Sequence, residues 1–363
     1  MSPSGRGNGP LLWVGTNPGG GGTETHMITF LEALAGLGVE VHALVHPRGQ
    51  VAAALRDSAV VLHFGYFHNS ADPKGVLPLL RALRHLRPRQ LVGSFSKEYW
   101  PLALAARARG VPLALFRHMD LRLRASTRWL LARWPLRLFA VSHYLQERLR
   151  AQGLPAARVE YCPNPLPLSQ FRHDPVARAS LRARLGVNDG DVLVGFVGAW
   201  HRGKGVFLLA DAVDAVHAED ERVHGLWLGG GSHEAELRAR LVGKDWQHPL
   251  GWQDAVAPWY SAMDILALPS IEPDTFGRVL VEAQAAGLPV LGAAMGGIPE
   301  AVGVGRSGRI LPPGDFQAWR RAIAEWARDA DARHRTGMLG PDFAAQFAAE
   351  RVAAGFLEQL RWY

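Results

Sequence analysis

The sequence predicts an α/β protein made of two successive parallel-sheet domains of the Rossmann type. Short apolar segments rich in β-branched residues alternate with longer amphipathic segments, which is the pattern of βαβ units. A proline-rich stretch over residues 162–175 separates one such series from a second. The chain has 363 residues, a length that suits two domains of ordinary size. We therefore expect a first domain over residues 1–168 and a second over residues 169–341.

The elements of both domains follow from the same alternation. In the first domain, the apolar runs predict strands at residues 11–15, 39–45, 59–64, 91–95, 111–116 and 136–141. In the second domain, they predict strands at residues 191–198, 223–229, 263–269 and 289–292. The intervening segments predict helices such as 23–35, 206–218, 234–242 and 279–286. The last segment, residues 342–363, has the apolar periodicity of one long helix and follows the second series.

Composition excludes several classes of protein. No run of 18 apolar residues occurs, which excludes a transmembrane helix. The single cysteine, Cys162, excludes an intramolecular disulfide and a cysteine-based zinc site. The polar beginning, residues 1–10, does not resemble a secretory signal, so we expect a cytoplasmic location. Two acid pairs with DxD spacing, at 189–191 and 329–331, fall in a turn and on a polar helix, so we expect no metal site and no cofactor.

Charge is distributed unevenly along the chain. Residues 1–175 contain 21 basic and 10 acidic residues, whereas the remainder contains 19 basic and 23 acidic residues. The basic first half suggests an anionic partner, such as phosphates, an acidic acceptor or a membrane surface. Residues 117–137 carry six arginines and His118 among leucines and tryptophans. This segment is either a surface helix with solvated arginines or a patch for an anionic acceptor or lipid headgroups.

Two segments of the first domain are candidates for ligand contact. The loop 18–26 (PGGGGTETH) follows the first strand and opens a helix, and its Gly21 and Gly22 would let a ligand approach the backbone. The loop lacks the GxGxxG spacing, and the second strand ends in His46 rather than in an acid, so a dinucleotide site is disfavoured. His118 follows a buried strand, where ligands bind in open α/β sheets. A flexible turn and a structural histidine are the alternatives.

A basic turn follows the first strand of the second domain. It reads GAWHRGKG over residues 198–205 and contains Arg202 and Lys204 before a helix. A guanidinium fork and an ammonium point charge are both suited to the oxygens of a diphosphate. The alternative is an ordinary surface turn.

The strongest pattern lies at residues 268–290 (LPSIEPDTFGRVLVEAQAAGLPV). A strand ends, a loop carries Asp274, and Gly277 opens a helix that carries Glu282. The helix N-terminus would offer backbone N–H groups to a phosphate, while the two acids would accept hydrogen bonds from hydroxyl groups. This combination is typical of a site that binds a sugar nucleotide.

These segments together resemble the retaining glycosyltransferases of family 4, which have the GT-B fold. The resemblance rests on the acid-x7-acid pattern with its Phe-Gly, and on GGIPE at 296–300 and GRILPPGD at 308–315. It also rests on Val141-Ser142, on Pro163-Asn164, and on GGTE at 21–24, all in the family's order. It implies two Rossmann-like domains facing across a cleft, with the C-terminal helix crossing back to the first domain.

The resemblance also implies roles for individual residues. Glu282 would hold the donor ribose, and His118 would lie beside the reacting sugar. Arg202 and Lys204 would neutralise the diphosphate, and Gly21 and Gly22 would lie close to the phosphate and the acceptor. The remaining donor contacts would come from Asp274, from the segment Phe276, Gly277, Arg278, Val279 and Leu280, and from Trp252 and Gln253 beside the nucleobase.

Two positions depart from the family pattern. The first acid of the acid-x7-acid signature is usually glutamate, whereas this chain has the shorter Asp274. The family usually has an arginine directly after the glycine at the end of the first strand, whereas this chain has Ala199. We expect Arg202 to take the place of that arginine.

The implied activity is transfer of a sugar from a nucleoside-diphosphate sugar, with UDP the commonest nucleotide, to a hydroxyl group with retention and without a metal ion. The acceptor would be a small molecule, a lipid-linked molecule or a saccharide, and the basic first domain favours an anionic one and a peripheral contact at the inner membrane face. We expect no nucleic-acid partner. The GC-rich residue usage suggests a bacterial source and a role in natural-product or cell-envelope glycan synthesis. A sugar-nucleotide epimerase, a silent nucleotide-sugar-binding protein and a dinucleotide oxidoreductase remain alternatives.

Overall fold

The computed structural model describes residues 9–361, which form two compact units. The first unit comprises the chain up to Leu166 together with the segment from Ala348 onward, and the second is Pro167–Phe347. The chain thus leaves the first unit at 166/167 and returns at 347/348, beside the predicted boundaries at 168/169 and 341/342. Residues 1–8, the predicted beginning of the first domain, and residues 362–363, the predicted end of the last helix, lie outside the described residues.

The first unit contains a seven-stranded sheet in which every neighbouring pair is parallel. Its strands are β1 (Leu11–Gly15), β2 (Val41–Val45), β3 (Val61–Phe64), β4 (Gln90–Gly93), β5 (Leu113–Arg117), β6 (Arg137–Ala140) and β7 (Val159–Tyr161). Their order is β3-β2-β1-β4-β5-β6-β7. The order in which the chain adds strands reverses between β1 and β4, as in a Rossmann sheet. Its helices are α1 (Gly22–Gly36), α2 (Gln50–Ala54), α3 (Pro73–Leu86), α4 (Tyr99–Arg109), α5 (Ala125–Arg133) and α6 (His143–Ala151).

The second unit contains a six-stranded parallel sheet. Its strands are β8 (Val192–Ala199), β9 (Val223–Gly230), β10 (Gln247–Gly251), β11 (Ile265–Leu268), β12 (Val290–Ala293) and β13 (Gly308–Leu311), in the order β10-β9-β8-β11-β12-β13. Its helices are α7 (Pro175–Leu185), α8 (Val206–His217), α9 (Glu234–Leu241), α10 (Ala257–Ala262), α11 (Arg278–Ala285), α12 (Phe316–Arg328), α13 (Ala330–Met338) and α14 (Gly340–Ala344). The central strands are buried on both faces, as parallel sheets covered by helices require.

The C-terminal segment does not form the single helix predicted over 342–363. After α14, a 3-10 turn at Ala345–Phe347 leads to a new helix, α15 (Ala349–Gln359). Between them Ala348 is extended and forms a parallel bridge with Leu166, and Ala349 N donates to Leu166 O over 2.9 Å. Helical backbone at Ala348 cannot form this bridge, so the helix is interrupted where the chain returns to the first unit.

The helix α15 completes the core of the first unit. It packs on α1, and the Phe356 ring lies 5.1 Å from Phe30, 5.2 Å from Phe139 and 6.1 Å from Trp13. All four side chains are almost fully buried. The last helix is therefore an integral part of the first Rossmann-like unit. None of the helices within residues 9–361 is both long enough and apolar enough to cross a bilayer.

Candidate active site

In the second unit, the turn after β8 packs directly on the loop after β11. Gly203 O accepts hydrogen bonds from the backbone N–H groups of Ile271 and Glu272, over 2.9 and 3.0 Å. Gly205 has a φ of +72°, and a Cβ atom at this position would lie 1.9 Å from Pro269 O. Glycine is therefore required here both for its left-handed backbone and for the close approach of the two loops.

The contact between these loops brings Lys204 to Asp274. The Lys204 ammonium forms an ion pair with the Asp274 carboxylate, and the side chains are 25% and 18% exposed. Both groups were predicted to be site residues, and they come from segments 70 positions apart. The Lys204 ammonium is therefore a partly exposed cation at the carboxyl end of the sheet, where ligands of open α/β sheets bind.

The GGIPE segment holds the acidic loop in position. Gly297 N donates to Asp274 O over 2.7 Å. At Gly296, where φ is +59°, a Cβ atom would lie 2.2 Å from Asp274 O. The glycine pair of this motif therefore supports the backbone that carries Asp274.

Glu282 is held by two donors on α11 and α10. Its Oε1 accepts from Arg278 Nε over 2.7 Å, and its Oε2 accepts from the Tyr260 hydroxyl over 2.8 Å. Burial and the negative charge of Glu282 raise the pKa of Tyr260 well above its ordinary value, so the phenol remains a donor. Each carboxylate oxygen retains capacity for another hydrogen bond. The site therefore contains an oriented, 8% exposed carboxylate that can accept from ligand hydroxyl groups.

The helix α11 begins after Gly277, which has a φ of +85°. Within residues 9–361, no side chain caps this N-terminus. Phe276 and Leu280 are buried, and the Phe276 ring packs against Phe347 at 5.2 Å. Their side chains therefore belong to the core, and only the backbone of this segment, together with the half-buried Arg278 and Val279, is available to a ligand.

Two predicted residues lie in an exposed loop after β10. Trp252 is 77% exposed, and its indole Nε1 donates to Asp254 Oδ1 over 3.3 Å. Gln253 Nε2 donates to Trp252 O over 3.0 Å. These contacts are local, and the loop presents an uncovered indole ring.

Arg202 has a different partner from Lys204. Its guanidinium pairs with Glu236 on α9 and lies 4.9 Å from the centre of the Phe207 ring. The side chain is 61% exposed. The structure therefore brings Lys204 to Asp274 but holds the Arg202 guanidinium on α9.

In the first unit, His118 directly follows β5. Its ring lies 4.4 Å from the His26 ring and is stacked on Phe116 at 6.0 Å. The Nε2 atom is buried and has no hydrogen-bond partner among the described residues. Burial and the charge of Arg117 lower the pKa of His118 to about 3, so the imidazole is neutral at ordinary pH. A neutral ring can donate or accept a hydrogen bond with a sugar hydroxyl.

Acidification should destabilise the first unit through His118. The pKa is about 3 in the folded chain, against about 6.5 in an unfolded chain. The unfolded chain therefore binds the proton preferentially below pH ~6.5, and the free energy of unfolding falls as the pH decreases from there. We expect His118→Asn to lose less thermal stability than the wild type between pH ~7 and ~4.5. The same substitution of the exposed His173 is the control, and equal losses for all three proteins would contradict the prediction.

Gly21 and Gly22 mark the beginning of α1. Gly21 is extended, and within the described residues no side chain caps this N-terminus. Thr25 Oγ1 donates to Gly21 O over 3.0 Å, and a Cβ atom at Gly22 would meet no heavy atom within 4 Å. The backbone N–H groups here are thus open to an anion.

Two further groups, Glu98 and His46, lie at the same edge of the first sheet and were not predicted from the sequence. Glu98 is fully buried, and its Oε1 accepts from both the backbone N and the Oγ1 of Thr16 over 2.7 Å. Burial raises the pKa of this carboxyl. Burial and the charges of Arg48 and Lys97 lower the pKa of His46. Position is the signal that could have identified them, because His46 and Glu98 follow β2 and β4 closely.

Two family models match consecutive parts of the chain. The model described as Glycosyltransferase Family 4 matches residues 20–170, and the model described as Glycosyl transferases group 1 matches residues 191–329. Among curated proteins, the D-inositol 3-phosphate glycosyltransferase of Streptomyces coelicolor is 35% identical over 195 residues, which are 49% of this chain and 42% of the relative. That of Xylanimonas cellulosilytica is 29% identical over 230 residues, or 59% and 53% of the two chains. The chain spans about half the length of the curated relatives it matches.

Solved structures share the fold over nearly the whole chain. Anabaena Alr3699/HepE, in complex with UDP and glucose, has a TM-score of 0.85 at 20% identity, covering 98% of this chain and 100% of its own. A glycosyltransferase from Rickettsia africae has a TM-score of 0.85 at 17% identity, covering 97% of each chain. WaaG, a glycosyltransferase involved in lipopolysaccharide biosynthesis, has a TM-score of 0.70 at 15% identity, covering 96% and 99%.

These likenesses confirm the predicted fold class, two parallel-sheet Rossmann-like domains of the GT-B type. One family match covers most of the first unit and the other covers most of the second unit. The two matches follow each other in the same order as the motifs in the sequence. The chain therefore belongs to the group 1 glycosyltransferases of glycosyltransferase family 4.

Proposed function

We propose that this chain transfers a sugar from a nucleoside-diphosphate sugar, with UDP as the nucleotide, to a hydroxyl group of an acceptor. The observation that carries the proposal is the set of groups at one edge of the second sheet. It comprises the Lys204–Asp274 pair, the uncapped beginning of α11 and Glu282 held by Tyr260 and Arg278. UDP or UDP-glucose is bound in structures that share the fold, which supports the choice of nucleotide.

Each group has a part in donor binding. Glu282 accepts hydrogen bonds from the ribose hydroxyl groups, because its carboxylate is already oriented by two donors. The backbone N–H groups at the beginning of α11 bind the diphosphate. Lys204 neutralises a phosphate oxygen, and Asp274 accepts from hydroxyl groups of the donor sugar. We assign the nucleobase to the exposed Trp252 and Gln253 and the rim of the diphosphate site to Arg202. In the first unit, we assign contacts with a sugar to His118 and contacts with a phosphate to Gly21 and Gly22.

The reaction proceeds with retention and without a metal ion. The bond between the anomeric carbon and the diphosphate oxygen breaks, and the acceptor oxygen bonds to the same face of that carbon. The acceptor proton passes to the departing phosphate oxygen. Lys204 and the helix N-terminus stabilise the negative charge that develops on the diphosphate, which is the electrostatic contribution of the protein.

The acceptor is an anionic molecule. The basic first half of the sequence supports this choice, as do the positive charges of Arg48 and Lys97, which act with burial to lower the pKa of His46. The curated relatives are named for D-inositol 3-phosphate, a phosphorylated polyol, which supports it independently. A lipid-linked acceptor would bring the protein to the inner face of the cytoplasmic membrane. An epimerase would act without an acceptor, and a silent binding protein would form no product, so product analysis separates these activities from transfer.

Calorimetry with UDP and UDP-glucose tests the donor site directly. We expect binding of a UDP compound with the same affinity in the presence and absence of EDTA. Incubation of UDP-glucose with D-inositol 3-phosphate should then release UDP and form a glycoside whose anomeric configuration is read by NMR. Absence of binding to any nucleoside diphosphate would contradict the proposed donor site, and an inverted product would contradict the mechanism.

Glu282→Gln should weaken UDP binding by about 10- to 100-fold, because a neutral amide is a poorer acceptor for the ribose hydroxyl groups. Titration calorimetry measures the loss. Glu325→Gln is the matched control, since Glu325 lies in the same unit and forms an exposed ion pair with Arg309. Equal affinities of the two variants would remove Glu282 from the donor site.

A further inference from the structure

The helices α4 and α5 of the first unit share an exposed aromatic surface. Trp100 on α4 and Trp129 on α5 are stacked, with ring centres 6.2 Å apart and planes inclined by 7°. Trp134 meets Trp100 edge-on at 5.9 Å. Trp129 is 54% exposed, and Leu104, one helical turn after Trp100, is 55% exposed. Trp100 and Trp134 are half-buried beneath this surface. Clustered apolar side chains that reach the solvent often mark an interaction surface.

This surface is strongly cationic. Residues 99–137 contain a single acid, Asp120, and six exposed arginines, whereas Arg117 is buried and Arg137 pairs with Glu160. The Asp120 carboxylate is already bound by Arg148 and by the Tyr144 hydroxyl. Among the described residues, the five arginines on or next to the α5 and α4 surfaces form no salt bridge: Arg107, Arg124, Arg128, Arg133 and Arg109. Only Arg107 has an aromatic partner there, Trp134 at 5.8 Å.

Two grooves extend the surface along α4. One, of about 310 Å³, lies between α4 and Trp134 and includes Arg107 and Gly110 in its lining. The other, of about 540 Å³, shares Gly110 and is lined by four arginines and no acid: Arg84, Arg87, Arg89 and Arg109. Arg89 donates to Arg361 O over 3.4 Å. The grooves therefore connect an arginine-lined cavity of phosphate-binding character to Trp134, which packs on Trp100.

We propose that this surface, formed by α4, α5 and the adjoining grooves, binds the face of an anionic lipid bilayer. Lipid phosphates enter the arginine-lined groove, and Trp129 and Leu104 insert at the level of the headgroups. Tryptophan beside arginine is the combination that membrane interfaces select, because the ring is amphipathic and the guanidinium binds lipid phosphate. A nucleic acid would account for the arginines but not for the exposed Leu104, and an acidic protein would not require phosphate-sized grooves. Binding of this surface to a membrane does not depend on sugar transfer.

Vesicle sedimentation with the full chain and no substrate tests the proposal. We expect binding to vesicles of phosphatidylcholine and phosphatidylglycerol, weakening as salt rises, and little binding to phosphatidylcholine alone. Arg84→Glu/Arg109→Glu/Arg128→Glu should lower the partition coefficient at least about 100-fold. The control, Arg306→Glu/Arg321→Glu/Arg335→Glu, makes the same change of net charge at exposed arginines of the second unit and should retain binding.

A second pair of variants isolates the apolar contribution. Trp129→Ala should lower partitioning about tenfold, whereas Met338→Ala removes a 62% exposed apolar side chain from the second unit and should leave partitioning unchanged. Unaltered thermal unfolding and UDP binding verify that the variants are folded. The proposal is overturned if the wild type fails to bind anionic vesicles, or if both charge-reversal variants lose binding equally. Retention on RNA, or displacement of the protein from vesicles by glycerol phosphate alone, would assign the surface to a soluble polyanion or phosphate ester instead.

Discussion

Lys204→Ala should lower the turnover number by about 100- to 1000-fold while the protein remains folded. The substitution removes the cation that would stabilise the leaving diphosphate, and such preorganised charge contributes more to the transition state than to the ground state. Initial rates of UDP release at saturating donor and acceptor measure the effect. Thermal unfolding should change little, because the Lys204 side chain lies at the edge of the sheet and is 25% exposed.

The chain offers a matched control for this experiment. Lys244 lies in the same unit, forms an ion pair with Asp214 and is 27% exposed. Lys244→Ala removes a similar charge from a similar pair, so we expect nearly normal turnover. Wild-type turnover by the Lys204 variant would remove this residue from the mechanism. An equal loss in both variants would indicate a general effect of charge on the second unit.

Gly205→Ala should abolish most activity and destabilise the second unit by about 3 kcal/mol or more. The backbone at Gly205 has a φ of +72°, and the added Cβ would lie 1.9 Å from Pro269 O, a carbonyl oxygen that cannot turn aside as a flexible side chain can. The turn must therefore move away from the loop after β11, and Lys204 moves with it. Chemical denaturation, with turnover measured on the same preparation, determines both losses.

Gly186→Ala separates the two causes of the expected loss. Gly186 has a φ of +70°, nearly that of Gly205, but a Cβ atom there would meet no heavy atom within 4 Å. We expect this variant to lose only the left-handed backbone preference, about 1 kcal/mol, and to keep its activity. If the two variants were equally unstable, the close approach of the loops would not be the reason for glycine at position 205.

The strands that the sequence pattern did not reveal have a common position. β7, β10 and β13 are all at the edges of their sheets. β7 has three residues, and β10 reads QHPLG, with mostly intermediate burial. A central strand of a parallel sheet is buried on both faces and needs a continuous apolar run, whereas an edge strand does not. Apolar runs therefore identify the interior of such sheets and leave some of their edges unpredicted.

In the candidate site, too, the sequence predicts some features and not others. Lys204, Asp274 and Glu282 stand in local patterns that predict a phosphate-binding turn and an acid-bearing helix. Tyr260 escaped detection because its role depends on a contact with Glu282 across 22 positions of the chain. The partner of Arg202 could not be anticipated either, because Glu236 is 34 positions away on another helix. Local motifs predict which side chains serve a site, but the contacts that orient them arise only from the packed sheet.

The return of the chain at Ala348 has a consequence for synthesis of the protein. The second unit is one continuous segment, so all of its residues have been translated before the first unit is complete. The first unit lacks Phe356, which lies against Trp13, Phe30 and Phe139, until α15 has been translated. During translation, the apolar core of the first unit therefore remains incomplete while the second unit folds. A chain that terminates before α15 should expose this core to aggregation.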